Sequence, residues 1–217
     1  MSVRVDLWSD IVCPWCLIGK AHLDKAIEMS GINVEIHWRA FQLDPNATRE
    51  CTGNIVTVLA QKYGASELDA RRMMASVSER ASQVGVHLNL DSQLPTSTFD
   101  AQRLIQWAQF VSLEDREPAS RLAVALAQAA LRDGLCVSDQ QVLEQVAIGA
   151  GCDPVGVRGL LESDDFADAV LADQEMAREM GATGVPYFVF DGKVALSGAQ
   201  PTEVMVQVLT SVSNGPG

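Results

Sequence analysis

The sequence predicts an α/β fold in which a β-α-β opening and a β-β-α ending enclose a large, purely helical block. Three observations carry this reading. Apolar and polar residues alternate over residues 3–8 and again over 34–38, the period of a strand. Between residues 51 and 181 apolar residues recur at helical spacing instead. After Gly184 short apolar stretches return, and Asp191-Gly192 stands between two of them as a two-residue hairpin turn.

Each element follows from local signals. The stretch Val3-Arg4-Val5-Asp6-Leu7-Trp8 reads as a strand with one buried face, and Ser9-Asp10 turns the chain into a helix running to about Met29. Leu17, Ile18, Ala21, Ala26 and Ile27 are its expected packed side, and Gly31 closes it because glycine tolerates the left-handed backbone of a helix end. Residues 34–38 form the second strand. In the helical block, Ser66 with Asp69 marks one helix start, Ser138 with Gln141 a capping box, and Asp153 a cap with Pro154 at the first helical position. Leu122, Leu126, Ala129 and Ala130 make one apolar stripe, and Phe166, Val170, Ala177 and Met180 another; both are expected in the core. Residues 187–190 and 193–196 are the hairpin strands, Pro201 opens a last helix through Val204, Val208 and Leu209, and residues 211–217 read as a frayed tail. Residues 1–50 and 182–217 then form one unit and residues 51–181 an insertion into it.

Of the 217 residues, 47% are apolar and 20% charged, enough to build a substantial core. Sixteen basic and 28 acidic residues leave a net charge of −12, which repels phosphate backbones and anionic lipid. Neither nucleic acid nor membrane is expected as a partner. The longest strongly apolar run, residues 122–131, is bounded by Arg121 and Arg132 and falls short of the roughly 20 residues of a membrane span. The opening residues lack the basic-then-apolar pattern of a secretory signal, so the cytoplasm is the expected location. Five cysteines, an odd number, do not suggest a disulfide-stapled secreted scaffold.

Two of those cysteines carry the chemistry. Cys13-Pro14-Trp15-Cys16 lies where the turn meets the helix. Proline is tolerated there because the first helical turn has no partner for its amide. A sulfur at the helix start faces free N–H groups and the positive end of the helix dipole, which stabilise its anion. The anion is the nucleophile of disulfide exchange, and a second thiol one turn on can resolve the mixed disulfide. Cys13, expected toward solvent, is therefore the reactive thiol, Cys16 the resolving one, and Pro14 part of the active-site loop. The same spacing supplies half of a zinc site, but Cys136 and Cys152 are far apart and His22, His37 and His87 form no ligand spacing. No metal or cofactor is expected.

Gly184-Val185-Pro186, leading into an apolar strand, suggests the cis-proline loop of a thioredoxin-like fold when set beside an N-terminal β-Cys-x-x-Cys-α unit. Residues 9–19 (SDIVCPWCLIG), 41–45 (FQLDP), 183–190 (TGVPYFVF) and 197–201 (SGAQP) resemble the DsbA-like thioredoxin family, in particular its cytoplasmic FrnE-type branch, and the likeness runs through nearly the whole chain. The resemblance implies a thioredoxin-like fold interrupted by a large all-helical insertion. It implies a dithiol–disulfide site at Cys13 and Cys16 with Pro186 in cis beside it, and Val185 offering its backbone to an extended substrate. Partners would be thiol- or disulfide-containing proteins, with glutathione as a small-thiol candidate. Ser97-Thr98 and Ala101-Gln102-Arg103 stand where relatives often carry Asn-Thr and Ala-His-Arg, which puts a polar contact from that helix to the cleft in question. Trp15 replaces the histidine of periplasmic DsbA, so a weaker oxidant is expected, between about −120 mV and about −270 mV.

Other residues read more plainly. Trp15 is either a substrate-facing platform or a partly buried filler. Cys51, Cys136 and Cys152 read either as auxiliary redox partners or, the better reading, as free cysteines behaving as small hydrophobes; Asp10, close to the thiols, reads as an aid to proton transfer or, the better reading, as an exposed turn residue. Two other readings share the architecture. Glutathione-dependent 2-hydroxychromene-2-carboxylate isomerases and kappa-class transferases resemble the chain in the insertion and the Gly-Val-Pro loop, but the isomerases typically hold serine where Cys13 stands. A peptide-binding module using the cleft would need neither thiol.

Overall fold

Strand β1 (Val3–Ser9) is central, and everything else is arranged around it. The computed structural model describes residues 2–112 and 117–215. It places β1 parallel to β2 (Val34–Ala40), with Val3 opposite Val34, and antiparallel to β3 (Tyr187–Phe190), with Leu7 opposite Phe188. Strand β4 (Val194–Ser197) pairs antiparallel with β3, giving the order β2-β1-β3-β4. A central strand is covered on both faces, so the single buried face expected from the alternation is corrected: every residue of β1 except Arg4 is buried. Val5 and Leu7 join Phe188 and Phe190 in one core, while Trp8 joins Tyr187, Val189 and Ala177 on the opposite face.

Asp6 survives in that strand because it is paired. Burial works to raise its carboxyl, but hydrogen bonds from Arg4 and Arg39 outweigh it and hold the group below the usual range. Arg39 also reaches Asp173, which accepts the Ala40 N–H. A buried charge is tolerable only when matched in this way.

Helix α1 (Pro14–Ser30) links β1 to β2 and ends at Gly31, whose φ of 64° requires the left-handed conformation expected of it. It packs against α9 (Thr202–Ser213) on one face of the sheet. Between β2 and β3 run α2 (Ile55–Tyr63), α3 (Glu67–Gln83), α4 (Phe99–Val111), α5 (Glu117–Leu131), α6 (Gln140–Gly149), α7 (Pro154–Leu161) and α8 (Ala167–Glu179). Helices α4 and α8 lie against β2. There Gln109 accepts the Trp38 N–H and donates to the Trp38 carbonyl, satisfying groups an edge strand would leave open. Phe190 pairs with Val194, so the hairpin loop holds three residues, Asp191, Gly192 and Lys193, and not the two expected; its turn has positive φ at Asp191 and Gly192 (48° and 65°), and the Phe190 carbonyl accepts the Lys193 N–H.

Several expected details change. Asp139, not Ser138, caps α6, accepting the Gln141 and Val142 N–H groups. The Ser138 hydroxyl is taken by the Arg49 carbonyl and by Thr96, contacts made from distant parts of the chain. Val170 and Ala177 are buried as their stripe predicts, but Met180 is 42% exposed and Phe166 sits at the helix cap with φ of 63°. Helix α9 extends through Ser213 into the expected tail, whose residues 216 and 217 lie outside the described residues. Cys51 and Cys136 are joined in a disulfide across 85 residues, which corrects the reading of both as free. Cys152 is free and packs against the core, and burial pushes its thiol up. Among the described residues no helix is long and apolar enough to cross a membrane.

Candidate functional site

The end of β1 builds the site. The Asp10 carbonyl accepts the Cys13 N–H at 3.1 Å, and the Cys13 carbonyl accepts the Cys16 N–H at 3.0 Å as α1 begins. Cys13 is the N-cap of α1, in extended conformation, with Pro14 following at the first helical position. Both Cys13 and Cys16 are free thiols. Cys13 is only 3% exposed, a departure from the solvent-facing position expected, because the loop before β3 lies over it. Its thiol points at the Val185 carbonyl, 3.5 Å away, and its remaining open side faces a groove. Cys16, one turn in, is buried; burial first, and Cys13 beside it second, push its thiol well above the usual value.

The Val185–Pro186 peptide is cis. Pro186 is buried against α1, and the reason it fits is Gly19: a Cβ there would come within 2.9 Å of the Pro186 ring and 3.1 Å of the Phe188 ring. The two stretches singled out from sequence, residues 13–16 and 185–186, thus meet at one point through a glycine on the first helix.

Asp10 is not the exposed turn residue expected. It is 1% exposed; its Oδ2 accepts the Leu43 N–H at 2.7 Å, and its Oδ1 has no hydrogen-bond partner. Burial raises its carboxyl, against the pull of the Leu43 N–H, the Thr98 hydroxyl and the backbone of Val12 and Ile11. Gln102 of α4 donates to the carbonyls of Ser9 (2.8 Å) and Phe41 (3.0 Å). The polar contact from this helix is therefore made, with glutamine at that position. Gln93 donates to the Val12 carbonyl. Thr98 and Gln102 stand at the positions where the family resemblance puts such a contact in question, whereas Gln93 has no sequence signal and is brought to Val12 only by the fold of the insertion.

The groove beside Cys13 has a volume of about 630 Å³ and runs between the active-site turn and the first two insertion helices. Ile55 and Leu59 of α2 and Met74 and Val77 of α3 wall it. Trp15 is half-buried at its edge, with the Arg80 guanidinium 5.8 Å from its ring centroid. Two thiols one turn apart, a carbonyl opposite the first and an open groove beside it can hold a chain segment and exchange its sulfur. Among the described residues no group of three or more His, Cys, Asp or Glu is arranged to hold a metal.

Residues 4–210 match the DSBA-like thioredoxin domain family. A probable DsbA oxidoreductase from Streptomyces coelicolor superposes with a TM-score of 0.88 and 36% identity, over 99% of this chain and 92% of that one. The Bacillus subtilis (strain 168) protein YwbO is 24% identical over 211 residues, 97% of each chain. A 2-hydroxychromene-2-carboxylate isomerase shares the fold at a TM-score of 0.63 and 16% identity, over 97% of this chain and 94% of that one.

Proposed function

The chain belongs to the DsbA-like thioredoxin-domain family, and from that premise we propose that it is a thiol–disulfide oxidoreductase working through Cys13 and Cys16. We place it in the FrnE-type branch on its C-P-W-C and TGVPYFVF segments. The observation that carries the reading is the position of Cys13, at the positive end of α1, opposite the Val185 carbonyl and open to the groove.

In the reducing direction the deprotonated Cys13 sulfur attacks one sulfur of a substrate disulfide. A Cys13–substrate disulfide forms, and the other substrate sulfur leaves as a thiolate. Cys16 then loses its proton and attacks Cys13, closing the Cys13–Cys16 disulfide and releasing the second substrate thiolate. Run backwards, the same steps oxidise a substrate dithiol. Burial that keeps Cys16 protonated holds it back from external disulfides, so its turn comes only when Cys13 is occupied. When the Cys13 sulfur is engaged, its bond to the Val185 carbonyl is lost, and that carbonyl is available to an extended substrate held strand-fashion. Protein thiols and disulfides are the substrates this arrangement favours, with glutathione as a small-thiol alternative. An isomerase reading rests on fold likeness alone and leaves Cys16 without a task.

The test is dithiothreitol-driven insulin reduction by the wild type, Cys13→Ser and Cys16→Ala. Loss of catalysis in Cys13→Ser, and accumulation of mixed disulfides on Cys13 in Cys16→Ala, are the expected results. Undiminished catalysis in Cys13→Ser would overturn the assignment.

A further inference from the structure

We propose, resting on the exchange reaction above, that the groove selects polypeptide segments whose cysteine is flanked by apolar and acidic residues, with Lys62 and Arg80 determining that preference. The chain carries a net charge of −12, yet among the described residues the lining of this groove includes Lys62 and Arg80 and no Asp or Glu. A concave surface of one sign, walled by apolar groups, focuses its potential on whatever enters.

These two cations also differ from their neighbours in how they are paired. On α3, Arg71 pairs with Asp91 and Arg72 with Asp69, and on α1 Lys20 pairs with Asp24 and Lys25 with Glu28. Among the described residues neither Lys62 nor Arg80 is within an ion pair. Arg80 is instead laid over Trp15, two residues from Cys13, which fixes a positive charge at the mouth of the groove near the reacting sulfur.

The walls decide what kind of anion fits. Leu59, Met74 and Val77 give the groove apolar walls, beside a smaller polar lining that includes Ser76 and Gln93. A small polar thiol such as glutathione carries carboxylates but has no apolar side chain to bury there. An extended chain has both, and the Val185 carbonyl is placed to pair with its backbone.

The experiment compares three disulfide-bridged peptides identical except for one residue near the cysteine, Glu, Gln or Lys, with apolar residues elsewhere. The second-order rate constants of their single-turnover reaction with the reduced protein should rank Glu above Gln above Lys. Two exposed charge contacts correspond to a Glu-to-Lys ratio of about fivefold at low salt, shrinking as salt is added. In Lys62→Glu/Arg80→Glu the ranking should invert, an outcome that general damage to the protein does not produce. Equal rates for the three peptides, or an unchanged ranking in the double variant, would overturn the proposal and leave the exchange reaction standing. Glutathione disulfide reacting faster than the Glu peptide would overturn the polypeptide assignment. Failure of all disulfides to react would sink the exchange reaction itself, and this proposal with it.

Discussion

Asp10 shows how one buried side chain sets the terms for the residues beside it. Its carboxyl gathers the Leu43 N–H and lies by the Thr98 hydroxyl, so it ties the active-site turn both to the segment after β2 and to the start of α4. That cohesion has a cost, because Oδ1 is buried without a partner and burial disfavours the charged form. The consequence for stability follows from the direction of the shift. A carboxyl raised in the folded state binds its proton more tightly there than in the unfolded chain. Its contribution is therefore intact below the unfolded value of about 3.9 and is lost as pH rises through the folded value. Asp10→Asn removes this titration while keeping the shape. Urea midpoints measured from pH 4 to pH 8 should show the variant gaining on the wild type as pH rises; a gap that stays constant would mean that Asp10 does not titrate differently on folding.

At the scale of elements, what the sequence disclosed was what is decided locally. Gly31, the Asp153-Pro154 start and the Asp191-Gly192 turn act through their own backbone or the next few residues, and each does what its type implies. The same holds for Cys13-Pro14-Trp15-Cys16, whose placement at a helix start is written in four consecutive residues. Ser138 does not cap α6 because its hydroxyl has better partners in Arg49 and Thr96 than the helix it precedes. Asp10 is buried, where an exposed turn residue is expected, because its neighbours Leu43 and α4 come from distant parts of the chain. Cys51 and Cys136 are 85 residues apart, and nothing in their neighbours signals a bond. That disulfide ties the segment entering α2 to the connection between α5 and α6, and α2 otherwise packs chiefly on α3. A wall of the groove is therefore held in part by a covalent link. Such a link restricts the unfolded chain, and disulfides are typically worth about 2–4 kcal/mol. Cys51→Ala/Cys136→Ala should lose that much in guanidinium unfolding, with Cys13 and Cys16 reduced in both proteins. A loss below about 0.5 kcal/mol would mean that the link does not constrain the unfolded state.

Across the whole molecule, charge is the property that sets the parts against one another. The sheet keeps its charges matched in the Arg4–Asp6–Arg39–Asp173 cluster. Several other ion pairs are exposed, such as Arg132–Asp133 and Arg178–Glu175, and exposed pairs contribute little. What remains is an excess of 12 negative charges over one fold, whose mutual repulsion opposes compactness. Salt screens repulsion between exposed charges over about 10 Å at 0.1 M while reaching the buried cluster far less. Stability should therefore rise with sodium chloride between about 0.02 M and 0.2 M, by about 1 kcal/mol or some 2–4 °C in melting temperature for a chain of this size. Capture of an acidic segment by Lys62 and Arg80 should weaken over the same range. The two responses have opposite signs because one measures like charges spread over the surface and the other measures a cationic patch gathered at a single groove. A melting temperature that falls with salt would show that exposed ion pairs, not net repulsion, dominate the electrostatics of the fold.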